Sequence, residues 1–242
     1  MRIVAKSDRG LVRQNNQDSY AAGEFSDSVA WAVVCDGMGG VAGGNIASST
    51  AVRLISEKIS SSYRDGMSSN SIKNMLFSAI TAANIEIFDK GKNDIELNGM
   101  GTTVVATLVF DNTVCIAHAG DSRAYVLSRD SIRQITRDHS VVQELVDKGV
   151  ITPFEAKADS RKNLITRALG VDENIEIDFN EEYINKDDIL LICSDGLTNF
   201  VSDEEICELT DDGKFNDYAD RLIDRANENG GGDNITVVTI SF

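Results

Sequence analysis

The residues best suited to chemistry are four aspartates, each placed beside glycine at the border of an apolar run. Trp31-Ala32-Val33-Val34-Cys35 runs into Asp36-Gly37-Met38-Gly39-Gly40, and the run 189–194 ends in Asp195-Gly196. The run 114–119 leads into Gly120-Asp121, and Gly230-Gly231-Gly232-Asp233-Asn234 precedes the run 235–240. Short apolar runs bounded by turn residues predict buried strands. Glycine beside the acid lets the backbone take positive φ and approach a ligand closely. Strand-edge carboxylates of one design predict one shared site.

Such acids, without His or Cys neighbours in ligand spacing, make a hard, all-oxygen environment that selects Mg²⁺ or Mn²⁺ over zinc or copper. The chain has only two histidines, too few for a zinc site. His118 alternates with inward-facing residues of its run and reads as a packed core histidine. Clustered carboxylates repel one another unless cations stand between them. A carboxylate shared by two ions gives a centre that can hold a bridging hydroxide and grip a phosphoryl oxygen.

These acids need a frame. Strands are predicted over 3–7 and 19–25, before the run ending at Asp36. Gly43-Gly44-Asn45 then leads into a helix to about residue 63, and a second helix starts near Ser71. That second helix carries Ile72, Met75, Leu76, Ala79, Ile80, Ala83 and Ile87 as a wide apolar face for a sheet. A β-rich block over 102–110, 113–119, 123–128 and 131–135, with turns at Asp111-Asn112 and Arg129-Asp130, predicts an antiparallel meander. Asp138-His139-Ser140 caps a helix to Lys148, and Pro153 opens a short helical piece. The less apolar stretch 141–164 interrupts the strands and reads as a mobile flap. An edge strand over 175–179 precedes the buried run into Asp195. Helices follow from Asp203 and over about 215–227. The fold class expected is α+β: two packed antiparallel sheets flanked by helix pairs.

At 242 residues with a 42% hydrophobic share, the chain can bury one large core, and no linker or repeat divides it. A net charge of −16 excludes nucleic acid and anionic membrane as partners, since no basic stripe exists to neutralise phosphates. A phosphorylated substrate is admissible only through metal. No apolar segment reaches membrane-spanning length, and Met1-Arg2-Ile3-Val4 begins as a strand rather than a signal; both predict a cytosolic protein. Cys35, Cys115 and Cys193 lie in apolar runs and Cys207 in a helical pattern, with no CxxC pair, so inert buried thiols are expected.

In order along the chain, Arg13-x-x-Asn16-Gln17-Asp18, Asp36-Gly37-x-Gly39-Gly40, Gly101-Thr102-Thr103, Gly120-Asp121-Ser122-Arg123, Ser194-Asp195-Gly196 and Gly232-Asp233-Asn234-Ile235-Thr236 form a specific set. With these motifs the chain resembles the metal-dependent serine/threonine protein phosphatases of the type 2C class, in their compact bacterial form. The resemblance implies a single catalytic domain over 1–242 with a flap subdomain at about 141–164. It also implies two Mn²⁺ or Mg²⁺ ions in a cleft at one end of the sandwich, with a third as an option. Asp36 then bridges the pair, Asp195 and Asp233 complete one ion, and the Gly37 carbonyl serves the other. Asp121, with Asp195, matches the third-metal position. Asp18 acts from the outer shell through metal-bound water, and Arg13 matches the phosphate-binding arginine, whose fork suits phosphate oxygens. Arg123 and Thr102 read as structural supports.

The implied reaction is in-line attack on phosphorus by the metal-bridging hydroxide, without a phosphoenzyme. Its substrates are phosphorylated proteins, opposed to a cognate Ser/Thr kinase, and the enzyme is expected to act as a monomer. Many family members carry histidine where this chain has Met38, and a thioether cannot donate a proton. Metal-bound water is therefore the expected proton donor to the leaving group. A catalytically silent binder is disfavoured because every ligand aspartate is present. A calcium-binding structural protein is disfavoured because no interleaved Asp loop with a terminal Glu occurs, and a phosphodiesterase because the motifs favour protein monoesters.

Overall fold

The computed structural model describes residues 1–129, 131–211 and 213–242, and all side chains among them except those of Val41 and Ala42. Among the described residues the chain runs β1 (Arg2–Asp8), β2 (Asp18–Ser26), β3 (Val29–Met38), α1 (Gly40–Ser62), α2 (Ser69–Asn93), β4 (Gly101–Thr102), β5 (Val104–Phe110), β6 (Thr113–Ala119), β7 (Arg123–Ser128) and β8 (Ser131–Gln134). There follow α3 (Val141–Asp147), α4 (Pro153–Ala158), β9 (Asp178–Tyr183), β10 (Ile189–Cys193), α5 (Asp195–Thr198), α6 (Asp203–Thr210), α7 (Tyr218–Glu228) and β11 (Ile235–Ser241). One sheet has the order β1-β11-β10-β7-β8 and the other β2-β3-β5-β6-β9, with β4 added to β3. The expected pair of antiparallel sheets with outer helices is present.

Period-two alternation along β3 shows why the layers stack as they do. Val29, Trp31, Val33 and Cys35 pack under α1 and α2. Ala30, Ala32 and Val34 face the other sheet, against Val126, Ile192 and Val238. Asp36 has the same parity as this second set, so it emerges at the end of the layer between the sheets. A third apolar layer joins Leu191 and Val237 to Ala219, Leu222 and Ile223 of α7. Each fully buried branched side chain contributes about 1.5–3 kcal/mol. Three such layers therefore fix the sheet ends rigidly enough to hold charged groups close together.

Several boundaries differ from expectation. Helix α1 starts at Gly40, not after Gly44, because its first turns must lie against β3: a Cβ on Gly44 would stand 2.7 Å from the Gly37 carbonyl carbon. The block 102–135 is not one meander. β6 and β7 belong to different sheets, and the chain changes sheet at 120–122. The turn Asp111-Asn112 does close the β5–β6 hairpin, with φ of 45° and 59°. The other expected turn, Arg129-Asp130, includes Asp130, which lies outside the described residues. The edge strand falls at Asp178–Tyr183 rather than 175–179, since pairing to β6 and not apolarity defines it, while Ile175 and Ile177 pack on the core. Helix α4 carries Pro153 at its first turn and a capping box between Thr152 and Glu155. No helix among the described residues is long and apolar enough to cross a membrane.

Candidate metal centre

Asp18 and Asp36 stand directly opposite each other on β2 and β3. Thr103 and Thr102 hold the Asp36 backbone. Thr103 Oγ1 accepts from Asp36 N at 2.9 Å, and the Asp36 carbonyl accepts from Thr103 N at 2.9 Å and Thr102 Oγ1 at 2.8 Å. Gly37 follows in a space that admits no side chain, since a Cβ there would meet Gly44 O at 2.1 Å and Gln17 O at 2.6 Å. The run Asp-Gly is thus required by the close passage of α1 and the 9–17 loop over β3.

Asp195 arrives from the other sheet, not as a last strand residue but in the first turn of α5 after β10 ends at Cys193. Gly196 beside it lets the Asp233 loop pass, because a Cβ would overlap Asn234 O at 1.9 Å. That loop is fixed by Asn234, whose amide accepts from Gln17 N at 2.8 Å and donates to the Arg9 and Asn15 carbonyls at 2.9 Å each. Asn234 appears in the sequence motif but had no assigned task. It ties Asp233 to the loop that carries Arg13.

A cleft of about 500 Å³ is lined by Arg13, Asp36, Gly37, Met38, Thr103, Asp121, Asp195 and Asp233. A second cleft of about 500 Å³, beside α3 and α4, meets it at Asp121 and Asp195. Asp18 lies just behind, 8% exposed, with Oδ2 accepting from Ser194 Oγ and Thr236 Oγ1 at 2.7 Å each.

Electrostatics mark this group as under strain without cations. Loss of solvent pushes Asp36 well above the usual carboxylate range, and Asp18, Asp195, Asp121 and Asp233 push it further. Burial and the neighbouring Asp195 hold Asp121 up at about 8. Burial, opposed by the Thr236 and Ser194 hydroxyls, leaves Asp18 at about 7. Asp195 is raised too, by burial and then by Asp233. Asp18 Oδ1 and Asp195 Oδ1 are buried without any hydrogen-bond partner. Orphaned carboxylate oxygens among mutually repelling acids are what a hard divalent cation would satisfy, so the residues fit such ions.

The cation nearest to hand is Arg13, whose Nη2 donates to Asp233 Oδ2 at 2.8 Å. This hydrogen bond raises the Arg13 pKa further. Arg123 lies on β7 instead as a strut, bidentate on Asp138 at 2.7–2.9 Å through Nη2 and Nε and bonded to the Tyr125 hydroxyl. Of the thiols, Cys35, Cys115 and Cys193 are buried, whereas Cys207 is only half-buried, because its helix face borders an open cleft. Both histidines lie close behind Gly120-Asp121 with rings stacked 4.9 Å apart, a pairing the sequence spacing gave no sign of.

Residues 11–237 match the family model described as protein phosphatase 2C. The serine/threonine phosphatase stp of Listeria innocua is 40% identical over 241 residues, covering 99% of this chain and 95% of that protein. Among solved structures, serine/threonine phosphatase Stp1 from Staphylococcus aureus superposes with a TM-score of 0.93 at 35% identity, covering 99% of this chain and 94% of that one. The catalytic domain of the serine/threonine protein phosphatase PstP in complex with two manganese ions gives 0.84 at 38% identity, covering 98% of this chain and 96% of that one. Sequence motifs, sheet order and the acid cleft lead to the same place: this chain belongs to the protein phosphatase 2C family.

Proposed function

We propose that this chain hydrolyses phosphoserine and phosphothreonine esters on proteins, using Mn²⁺ or Mg²⁺ held in the aspartate cleft. The observation that carries this reading is the convergence of Asp36, Asp195, Asp121 and Asp233 on one cleft, with Arg13 the one cationic side chain lining it among the described residues. Asp36 would serve both ions, with Asp195 and Asp233 completing one and the Gly37 carbonyl serving the other. Asp121 with Asp195 suits a third. When bound, the ions supply an activated water and neutralise charge on the phosphoryl oxygens.

The chain's own groups do the rest. Arg13, half-exposed and hinged on a surface loop, exchanges its bond to Asp233 for the phosphoryl oxygens of a substrate, where its planar fork stabilises equatorial charge. Asp18 keeps Oδ2 fixed between two hydroxyls and leaves Oδ1 to accept a proton from water at the site. Met38 lines the cleft and offers no proton. The leaving alkoxide is then protonated from water rather than by a side chain at this position. A Met38→His variant that leaves rates with poor leaving groups unchanged supports this, and a large acceleration refutes it.

The segment 141–164 forms a flap that shapes one wall of the second cleft and influences substrate choice. We place the protein in the cytosol, as a monomer opposing a Ser/Thr kinase. The deciding assay is phosphate release from a phosphothreonine peptide with Mn²⁺, repeated with chelator and with Asp195→Ala. Release abolished by both controls is expected, and release that ignores them overturns the assignment.

A further inference from the structure

His139 sits where three parts of the molecule meet. Its main-chain N donates to the Gly120 carbonyl at 2.9 Å, and its Nδ1 accepts from the Gly120 N–H at 3.1 Å. The same residue therefore grips both sides of the glycine that precedes Asp121. Its carbonyl accepts from Thr166 N at 2.8 Å, and the next residue, Ser140, forms a bridge to Ile165. Val141 N adds a bond to the Leu164 carbonyl at 2.8 Å. These are the two ends of the flap, closed on each other through His139.

Gly120 has little freedom of its own. Its φ is +112°, and a Cβ would stand 2.6 Å from Thr103 Cγ2, the same threonine that holds the Asp36 backbone. Gly120 is thus confined by the Thr103 side chain, by the His139 main-chain N–H on its carbonyl and by the imidazole on its own N–H.

Hydrogen bonding also fixes the tautomer. A backbone N–H can only donate, so Nδ1 carries the lone pair and Nε2 carries the hydrogen. Nε2 stands 3.2 Å from Asp178 Oδ2 and 3.2 Å from Arg167 Nη1. Arg167 lies alongside, donating to Asp178 Oδ1 at 2.8 Å and to Glu176 Oε2 at 3.1 Å. His118, Cα partner of Asp178 and stacked on His139, donates through Nε2 to the Arg137 carbonyl at 3.1 Å. His118, His139 and Asp178 stand at ligand spacing, with their atoms within 4.8 Å of one another. Yet His139 Nε2 has no lone pair to give an ion, and the Arg167 guanidinium already supplies the positive charge. The trio is a brace.

We infer that His139 is a positioning residue that ties Gly120, and with it Asp121, to the root of the flap: its ring holds the Gly120 N–H and its main chain holds Thr166, so that ion binding at Asp121 and order at the flap root are coupled through this one residue. The inference rests on Asp121 being an ion ligand, as proposed above. Groups that hold a metal ligand in place typically change metal affinity by about 10–100-fold when lost.

The test uses the full chain, Mn²⁺ titration by calorimetry and hydrogen–deuterium exchange. In His139→Asn an amide oxygen can replace Nδ1, whereas His139→Gln keeps only the distal donor toward Asp178. Expected is a weakest Mn²⁺ step loosened about tenfold or more in His139→Gln and close to the parent's in His139→Asn. The Mn²⁺ concentration for half-maximal activity should rise in the former, with kcat recovered at excess ion. In the unmutated chain, Mn²⁺ should slow exchange at 164–167 together with 118–122, a measurement that needs no variant. Equal Mn²⁺ affinity in the two variants, or protection confined to 118–122, overturns the inference. Asp121→Asn separates the two levels. If it leaves every Mn²⁺ step unchanged, the ligand reading falls and this inference with it; if it removes a step that His139→Gln leaves intact, the His139 inference alone falls.

Discussion

Asp121 and Asp138 flank the β7–β8 hairpin, and they live under opposite conditions. Asp138 receives a guanidinium fork from Arg123 and a further bond from Gln134 Nε2 at 2.9 Å. Asp121 receives no side-chain cation among the described residues and is held up at about 8 by burial and by Asp195. The same division runs through the molecule. Asp188, at the far end of the sandwich, is buried yet bonded to Ser128 Oγ at 2.7 Å and to Asn185 N at 2.8 Å. Asp36 and Asp195 are crowded by other acids. Burial alone therefore does not separate supporting from functional carboxylates. What separates them is whether the chain itself supplies the counter-charge or donors.

The comparison breaks if Asp36→Asn keeps activity. We expect a loss of at least about a hundredfold in phosphate release, taking the effect of groups that hold a metal ligand in place as a floor. Melting temperature without metal should rise at the same time, since one repelling charge is gone. Arg123→Ala should do the reverse. It strands the charge of Asp138 and lowers stability by about 3 kcal/mol, with the number of Mn²⁺ ions bound unchanged; denaturant unfolding beside calorimetry checks both.

Asp121 sharpens the contrast through pH. In the fold its carboxyl titrates at about 8 against 3.8 in the unfolded chain, so the folded state holds the proton more tightly. Stability from this group is intact below about pH 4 and is lost as pH rises toward 8. Metal-free protein should therefore melt progressively lower across that window, and Asp121→Asn should raise the midpoint by several degrees, about 2–4 °C per kcal/mol, at pH 8 and hardly at pH 4. Thermal scans with and without chelator decide it; a midpoint independent of pH in the parent would sink the reading. The smallest effect belongs to Asp188→Asn, where a satisfied acid loses charge but keeps its shape. About 1 kcal/mol of stability should go, with phosphatase activity intact.

Much of this was legible in the chain. The runs ending at Asp36 and Asp195 announced strands because apolar side chains stop abruptly at acid-glycine pairs, and the helix face from Ile72 to Ile87 is buried as its spacing implied. What the sequence hid was pairing between distant segments. Nothing local says that β6 and β7 part into different sheets, or that β9 begins at Asp178, because an edge strand is defined by its partner's free N–H and C=O groups. By position alone, His139 belongs to a helix cap. Ser140 is the residue that caps α3, and the imidazole turns instead toward Gly120, a contact across 19 residues that no periodicity reports. Asn234 escaped for the same reason, its partners lying more than 200 positions earlier.

Strand β11 lies between β1 and β10, although more than 220 residues separate it from β1 along the chain. A ribosome making this protein must therefore finish residues 235–241 before the sheet can close, and only then does Asp233 reach Asp36. Pairing across so long a sequence separation favours slow, late completion over stepwise growth. Hydrolytic power would arise all at once, after synthesis has passed this segment, and a half-made chain would strip no phosphate from its neighbours.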